Sequence, residues 1–149
     1  PAYPTGTVAF LFTKGSTRRC EARQQAMWSA VERHFDLVRE AISAHDGVLF
    51  KTVGDAVQAA FPTVLDAIAA AIDGQHALRR ADWGDLGSLR VRIAIHVGAA
   101  TPRDGDYLAP ALNRLARVLS VGYGDRTLLT EAAMAVAGPT LTGEVDVLD

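Results

Sequence analysis

The sequence predicts an α+β fold: a ferredoxin-like βαββαβ core on an antiparallel sheet, followed by additional C-terminal α-β-α elements. Short apolar runs, typical of buried strands, are separated by longer segments whose apolar residues recur every three or four positions, the period of a helix. A glycine-containing turn joins the second and third predicted strands directly, as in an antiparallel hairpin. The resulting order of elements is that of a ferredoxin-like unit.

The first half of the chain supplies a strand, a long helix and the hairpin. Thr7 to Phe12 is a short apolar run that predicts a buried strand, and Thr13 to Thr17 is predicted to be a polar loop. Glu21 to Ala44 has one apolar face and predicts a helix. Val48 to Thr52 and Ala56 to Phe61 predict the two hairpin strands.

The second half of the chain alternates helices and strands. Thr63 is a suitable N-cap for a helix that continues to Arg80. Pro110 falls in the first turn of the third helix, where proline is tolerated. The later elements are a strand from Leu89 to Val97, a loop from Thr101 to Tyr107, a helix from Leu108 to Ser120, a strand from Thr127 to Thr130, a helix from Glu131 to Ala137 and a strand beginning near Gly143.

The composition excludes several classes of protein. Of the 149 residues, 49% are hydrophobic and 21% charged, which fits one packed domain. A net charge of -2 argues against nucleic acid as a partner. Cys20 is the single cysteine, so no disulfide framework or cysteine-based zinc site is expected. We therefore expect residues 1–149 to be one cytoplasmic domain, without a membrane segment, excised from a longer chain that carries additional domains.

The hairpin tip carries one candidate metal ligand. Asp55 follows Gly54 in the segment K-T-V-G-D, and a carboxylate is the type of ligand that magnesium and manganese prefer. An aspartate beside a glycine is also common in turns that bind nothing. Taken alone, the hairpin leaves both interpretations open.

The third helix carries a candidate catalytic pair. Asn113 and Arg117 are four residues apart and therefore lie on one helical face. An amide beside a guanidinium can hold a ribose oxygen and stabilise charge on a phosphate. The alternative is a solvated helix face with an ordinary polar pair.

Together the two segments resemble the class III adenylate and guanylate cyclases. K-T-V-G-D is similar to the family's K-x-x-G-D hairpin, and A-L-N-R-L-A-R is similar to its V-N-x-A-x-R helix. The spacing from Asp106 to Asn113 also matches the family. The resemblance extends from Thr7 to Leu148, and the joint match is specific in a way that neither motif is alone.

The resemblance implies an adenylate cyclase that converts ATP to 3′,5′-cyclic AMP and pyrophosphate. Lys51 stands where adenylate cyclases keep the lysine that pairs with adenine N1, and Asp106 where they keep the acceptor for the adenine amino group. Guanine presents the reverse pattern, so ATP is favoured over GTP. By the same resemblance, Asn113 would orient the ribose and Arg117 would stabilise the pentavalent phosphorus.

The resemblance also implies two divalent cations, magnesium or manganese, and a homodimer. Asp55 would be one of two aspartates that hold the ions, which activate the ribose 3′-hydroxyl. Asp55 of one protomer would work with Lys51, Asp106, Asn113 and Arg117 of the other. A symmetric dimer would then carry two equivalent shared sites.

One segment departs from the family. The first strand of a class III cyclase ends in a pattern like F-T-D-I-x-G-S-T, whereas this chain has F-T-K-G-S-T, two residues shorter. The first metal aspartate is missing, and Lys14 stands in its place. The remaining Gly15, Ser16 and Thr17 would still contribute backbone N–H groups to a phosphate cradle. Either the loop is short in the molecule, or the molecule has residues there that the sequence above does not show.

Three functional hypotheses follow. The first is an active adenylate cyclase. The second is a degenerate cyclase homology domain, weak or inactive as a catalyst, that acts in nucleotide sensing or regulatory dimerisation. The third is an unrelated ferredoxin-like module that binds a small ligand or a protein.

Overall fold

A six-stranded sheet organises the chain in the computed structural model, which describes residues 3–15, 24–54, 56–81, 83, 91–107, 110–121, 127–137 and 146–148. The elements in chain order are β1 Gly6–Gly15, α1 Gln24–Ala44, β2 Val48–Val53, β3 Ala56–Phe61, α2 Val64–Arg80, β4 Val91–Ala100, β5 Pro102–Arg103, β6 Asp106–Tyr107, α3 Pro110–Val121, β7 Thr127–Thr130, α4 Glu131–Ala137 and β8 Asp146–Leu148.

The first four strands of the large sheet confirm the ferredoxin-like prediction. The strand order is β2-β3-β1-β4-β7-β8, and all pairs among β2, β3, β1 and β4 are antiparallel. The added strands differ, because β7 pairs parallel with β4 and β8 pairs parallel with β7. A helix precedes each of these two strands and returns the chain to the same end of the sheet, so the next strand must run parallel. The sheet is therefore mostly antiparallel.

Two hydrophobic cores lie on opposite faces of the sheet. In β1, Ala9 and Leu11 join the larger core, which α1, α2 and α4 cover. The alternate residues Val8, Phe10 and Phe12 join the smaller core, which α3 covers. Because both faces of β1 are buried, its sequence is a continuous apolar run without polar alternation. The face covered by α3 is called the α3 face below.

Helix α2 begins as its sequence predicts. The Thr63 Oγ1 accepts a hydrogen bond from the backbone N–H of Asp66 at 3.1 Å, which is the N-cap interaction. Asp66 in the first turn and Arg79 and Arg80 in the last turn complement the helix dipole. None of the helices in the described ranges combines the length and apolarity needed to cross a bilayer.

Two predicted loops are wrong in part. Strand β1 continues through Thr13 and Lys14 to Gly15, because ladders with β3 on one side and β4 on the other satisfy its backbone. The predicted loop from Thr101 to Tyr107 contains the small β5–β6 hairpin. Its turn residues, Asp104 and Gly105, have positive φ values of 53° and 75°, which Asp-Gly accommodates readily.

Several predicted boundaries lie outside the described residues. These are the start of the first helix at Glu21, of the fourth strand at Leu89, of the third helix at Leu108 and of the last strand at Gly143. The described parts of the same elements have the predicted type, and α3 is helical from Pro110 onward.

Candidate active site

A β-bulge determines which face of the sheet Lys51 occupies. The register between β2 and β3 pairs Leu49 with Ala59 and then Lys51 with Gln58, so Phe50 is an extra residue. In an unbroken ladder, Lys51 would share a face with Leu49, on the side of α1 and α2. The extra residue reverses this alternation, and both Phe50 and Lys51 lie on the α3 face.

Asp106 meets Lys51 on this face. The Lys51 Nζ donates a hydrogen bond to Asp106 Oδ2 at 3.4 Å, although the two residues are 55 positions apart. The other carboxylate oxygen, Oδ1, accepts from the backbone N–H of Tyr107 at 2.8 Å. The Lys51 side chain is 46% exposed and that of Asp106 is 35% exposed. An exposed ion pair contributes only about 0–1 kcal/mol to stability, so both groups can turn to a ligand at little cost.

Aromatic rings lie beside this ion pair. The rings of Phe50 and Tyr107 have centroids 4.9 Å apart at 66°, and both contact Phe10 of β1 edge to face. The Tyr107 hydroxyl donates to the carbonyl of Pro4 at 2.5 Å. Burial, and to a lesser degree the charge of Tyr3, raises the pKa of Tyr107. The hydroxyl therefore stays protonated and can act as a donor at neutral pH.

Helix α3 separates an inner apolar side from an outer polar side. Leu112, Leu115 and Leu119 are buried against the sheet. Asn113 and Arg117 are exposed and four residues apart. Their side of the helix therefore points away from the sheet of its own protomer.

Two cations face each other at the end of β1. Lys14 is directly opposite Arg92 of β4, and alternation along β1 places both on the α3 face with Phe12. Like charges in direct cross-strand register are destabilising. This end of β1 therefore carries two cationic side chains on one face of the sheet. Sequence reasoning did not identify Arg92, because the residue that faces it in β1 depends on strand register, which the sequence does not show.

Comparison with known proteins gives the same fold and a family. No protein-family model matches the chain. An adenylate cyclase of Lachancea kluyveri is 33% identical over 157 aligned positions, which cover 87% of this chain and 8% of that protein. An uncharacterized protein of Mycobacterium tuberculosis is 33% identical over 146 positions, covering 95% of this chain and 47% of that protein. The chain thus spans less than half the length of the curated relatives it matches.

A solved structure extends this likeness to three dimensions. An adenylate cyclase from Trypanosoma brucei, described in its monomeric state, superposes with a TM-score of 0.80 at 27% identity, covering 97% of this chain and 80% of that chain. The chain belongs to the class III nucleotide cyclase family. The likeness covers nearly the whole chain, so its fold is that of a cyclase catalytic domain.

Of the remaining predicted site residues of this cyclase domain, one lies within the described residues and three lie outside them. Gly15 is the last residue of β1 and pairs with Val91. Ser16, Thr17 and Asp55 lie outside the described residues. Their predicted roles, a phosphate cradle for Ser16 and Thr17 and a metal ligand for Asp55, stay predictions.

The described part of the cyclase domain does not by itself form a two-metal site. Within it, no three His, Cys, Asp or Glu side chains lie close enough to hold a metal ion together. Lys14 and Arg92 add two positive charges at the end of β1, where the family resemblance implies a carboxylate. Ammonium and guanidinium groups bind phosphate oxygens and repel divalent cations. The described donor set therefore suits a nucleotide's phosphates better than a metal pair.

Proposed function

We propose that this domain is an adenylate cyclase that converts ATP to 3′,5′-cyclic AMP and pyrophosphate. The observation that carries the proposal is the pair formed by Lys51 and Asp106, with donor and acceptor 3.4 Å apart. Adenine presents an acceptor at N1 beside a donor at its amino group, which complements an ammonium and a carboxylate. Guanine presents a donor at N1 beside an acceptor at O6, so it would place like groups against like. The curated relatives named adenylate cyclase support the same substrate.

The proposal includes chemical roles for the two exposed residues of α3. Asn113 would hold the ribose, so that the 3′-hydroxyl faces the α-phosphorus. Arg117 would stabilise the negative charge that develops on the equatorial oxygens of the pentavalent phosphorus. Both side chains are exposed on their own protomer, which leaves them accessible to groups supplied by a second copy.

A homodimer with shared sites is part of the proposal. Asp55 of one protomer would act with Lys51, Asp106, Asn113 and Arg117 of the other, giving two equivalent sites about a twofold axis.

Mixing Asp55→Ala and Arg117→Ala proteins tests this arrangement. In a mixed dimer one site carries both substitutions and the other carries neither. Half of the dimers are mixed at equal concentrations, so about a quarter of wild-type activity should return. A mixture as inactive as its parents would exclude shared sites.

The requirement for two magnesium or manganese ions stays a prediction. It depends on Asp55, because Lys14 and Arg92 do not suit a cation. The contributions of the chain's own described residues are base recognition by Lys51 and Asp106 and charge stabilisation by Arg117. Neither contribution requires a particular arrangement of metal ions.

One observation favours a second candidate function. Lys14 stands where the family resemblance implies a metal-binding aspartate and supplies a positive charge in place of a ligand, as expected of a degenerate domain used in nucleotide sensing or regulatory dimerisation. Such a domain would bind ATP and form no cyclic AMP.

One pair of measurements separates the two candidates. Cyclic AMP formation is followed with ATP and manganese in the full-length protein, and ATP affinity is measured by calorimetry with manganese and with a chelator. An adenylate cyclase forms product, loses this activity in Asp55→Ala, and binds ATP more tightly with manganese. A sensor domain forms no product, and its ATP affinity is the same in both conditions. If ATP does not bind in either condition, both candidates are wrong.

A further inference from the structure

We infer that Tyr107 is a positioning residue, which holds Asp106 at the distance from Lys51 that adenine recognition requires. This inference rests on the proposed function, because it concerns the same base-binding pair. It assigns the geometry of that pair to the aromatic cluster beside it, formed by Phe10, Phe50 and Tyr107.

The two charged residues are each one position away from a ring of this cluster. Phe50 precedes Lys51 and Tyr107 follows Asp106, and the two rings pack with centroids 4.9 Å apart. Phe10 contacts Tyr107 at 5.1 Å and Phe50 at 6.2 Å, and it is itself 1% exposed in the central strand β1. The cluster therefore joins the hairpin of Asp106 to the strand of Lys51 through a rigid element of the sheet.

The hairpin that carries Asp106 depends on outside contacts for its position. Strands β5 and β6 have two residues each and form a sheet separate from the main one. A two-stranded hairpin of this length is not stable alone in water. Tyr107 supplies the anchor, because the residue is 3% exposed and its hydroxyl donates to the carbonyl of Pro4 at 2.5 Å.

Tyr107 also orients the Asp106 side chain directly. Its backbone N–H donates to Asp106 Oδ1 at 2.8 Å, which leaves Oδ2 as the oxygen that meets the Lys51 Nζ. The ion pair cannot do this positioning itself, since a half-exposed pair at 3.4 Å is weak and screened by salt. The buried ring, the hydroxyl bond to Pro4 and the backbone N–H bond to Asp106 Oδ1 are thus the contacts that set where the carboxylate lies.

The test compares four variants of the full-length protein by their ratio of ATP to GTP affinity. Tyr107→Leu removes the ring and the hydroxyl, and Phe50→Leu removes the ring on which Tyr107 packs. Tyr107→Phe keeps the ring and is the conservative variant. Phe61→Leu is the matched control, because Phe61 is a fully buried ring in the core on the opposite face.

We expect Tyr107→Leu and Phe50→Leu to lower the ATP-to-GTP affinity ratio by about tenfold, the equivalent of one misplaced hydrogen-bonding pair. Tyr107→Phe should keep most of the ratio. Phe61→Leu should lower the melting temperature as much as the other leucine variants and leave the ratio unchanged. In Tyr107→Leu, strand β5, which pairs with β6, should also lose amide-exchange protection at Arg103. Strand β1 should keep its protection.

Each outcome decides the inference. If Tyr107→Leu and Phe50→Leu keep the wild-type affinity ratio, or if Phe61→Leu lowers that ratio equally, the positioning role is wrong. The aromatic cluster then contributes to the stability of the fold and not to base recognition. Should Tyr107→Leu not fold, Phe50→Leu decides alone, because Phe50 is only partly buried. A wild-type protein without ATP preference would overturn the proposed base recognition and this inference together. That failure is visible in the wild type alone, before any variant is measured.

Discussion

Lys51 and Asp106 lie with the ammonium nitrogen 3.4 Å from a carboxylate oxygen, on the face of the sheet that α3 covers. They come from different elements, a β-bulge in β2 and a two-residue strand beyond β4. Their contact joins two segments that the sequence separates by 55 positions. It also makes the proposed substrate preference testable by single substitutions.

Asp106→Asn should reduce ATP affinity by about tenfold or more, because the asparagine amide presents hydrogen-bond donors near the adenine amino group. GTP affinity should fall less or rise, since guanine O6 accepts from such a donor. Competition of ATP and GTP for the purified protein measures both. Asp36→Asn is the matched control, because Asp36 forms a similar exposed ion pair with Arg39 on α1 at 3.5 Å. Equal losses for both nucleotides would contradict the assignment of Asp106 to the base.

Lys14→Asp should increase manganese-dependent cyclic AMP formation and make ATP affinity depend on manganese. The substitution removes a positive charge directly opposite Arg92 in the ladder and adds a carboxylate near the site. Cyclic AMP formation is compared across manganese concentrations in wild type, Lys14→Asp and Lys14→Met. The methionine variant removes the charge repulsion without adding a ligand. If cyclic AMP formation rises as much in Lys14→Met as in Lys14→Asp, loss of the positive charge explains the increase. The added carboxylate then has no role as a metal ligand.

Arg117→Ala should lower kcat for cyclic AMP formation by about a hundredfold or more, with a small change in KM. The side chain is exposed on α3, so its loss should leave the melting temperature within about 1 °C of wild type. Arg39→Ala, an exposed arginine on α1, serves as the control. A proportional rise in KM at constant kcat would assign Arg117 to ground-state binding instead.

The free energy of unfolding should decrease at high pH because the Tyr107 hydroxyl ionises. Its pKa is raised above the ordinary value of 10.0, chiefly by burial, so the folded state holds this proton more tightly than the unfolded state. The corresponding stability is fully present below pH 10.0 and is lost as pH rises through the folded-state pKa. Urea unfolding at pH 8 and above pH 10 should show a smaller loss in Tyr107→Phe than in wild type. Identical losses in the two proteins would exclude Tyr107 as the group responsible.

The sequence by itself determined the order and type of the main helices and strands, but not the small β5–β6 hairpin, because periodicity and capping are local properties. Thr63 begins α2 as its position predicts, and the apolar run of β1 corresponds to a strand buried on both faces. The family resemblance likewise came from residues close together in the chain, in the hairpin and in α3. These features involve neighbours within a few positions, which a sequence displays directly.

Tertiary structure alone decided how these residues meet. The bulge at Phe50 turns Lys51 to the α3 face, and pairing with β3 and β4 extends β1 through Lys14 and places it opposite Arg92. The parallel pairing of β7 was likewise not visible in the sequence. Strand register depends on partners distant in the chain, and a shift of one residue exchanges the faces of the sheet. The sequence could therefore nominate Lys51 and Asp106 as partners, but only the fold put them 3.4 Å apart.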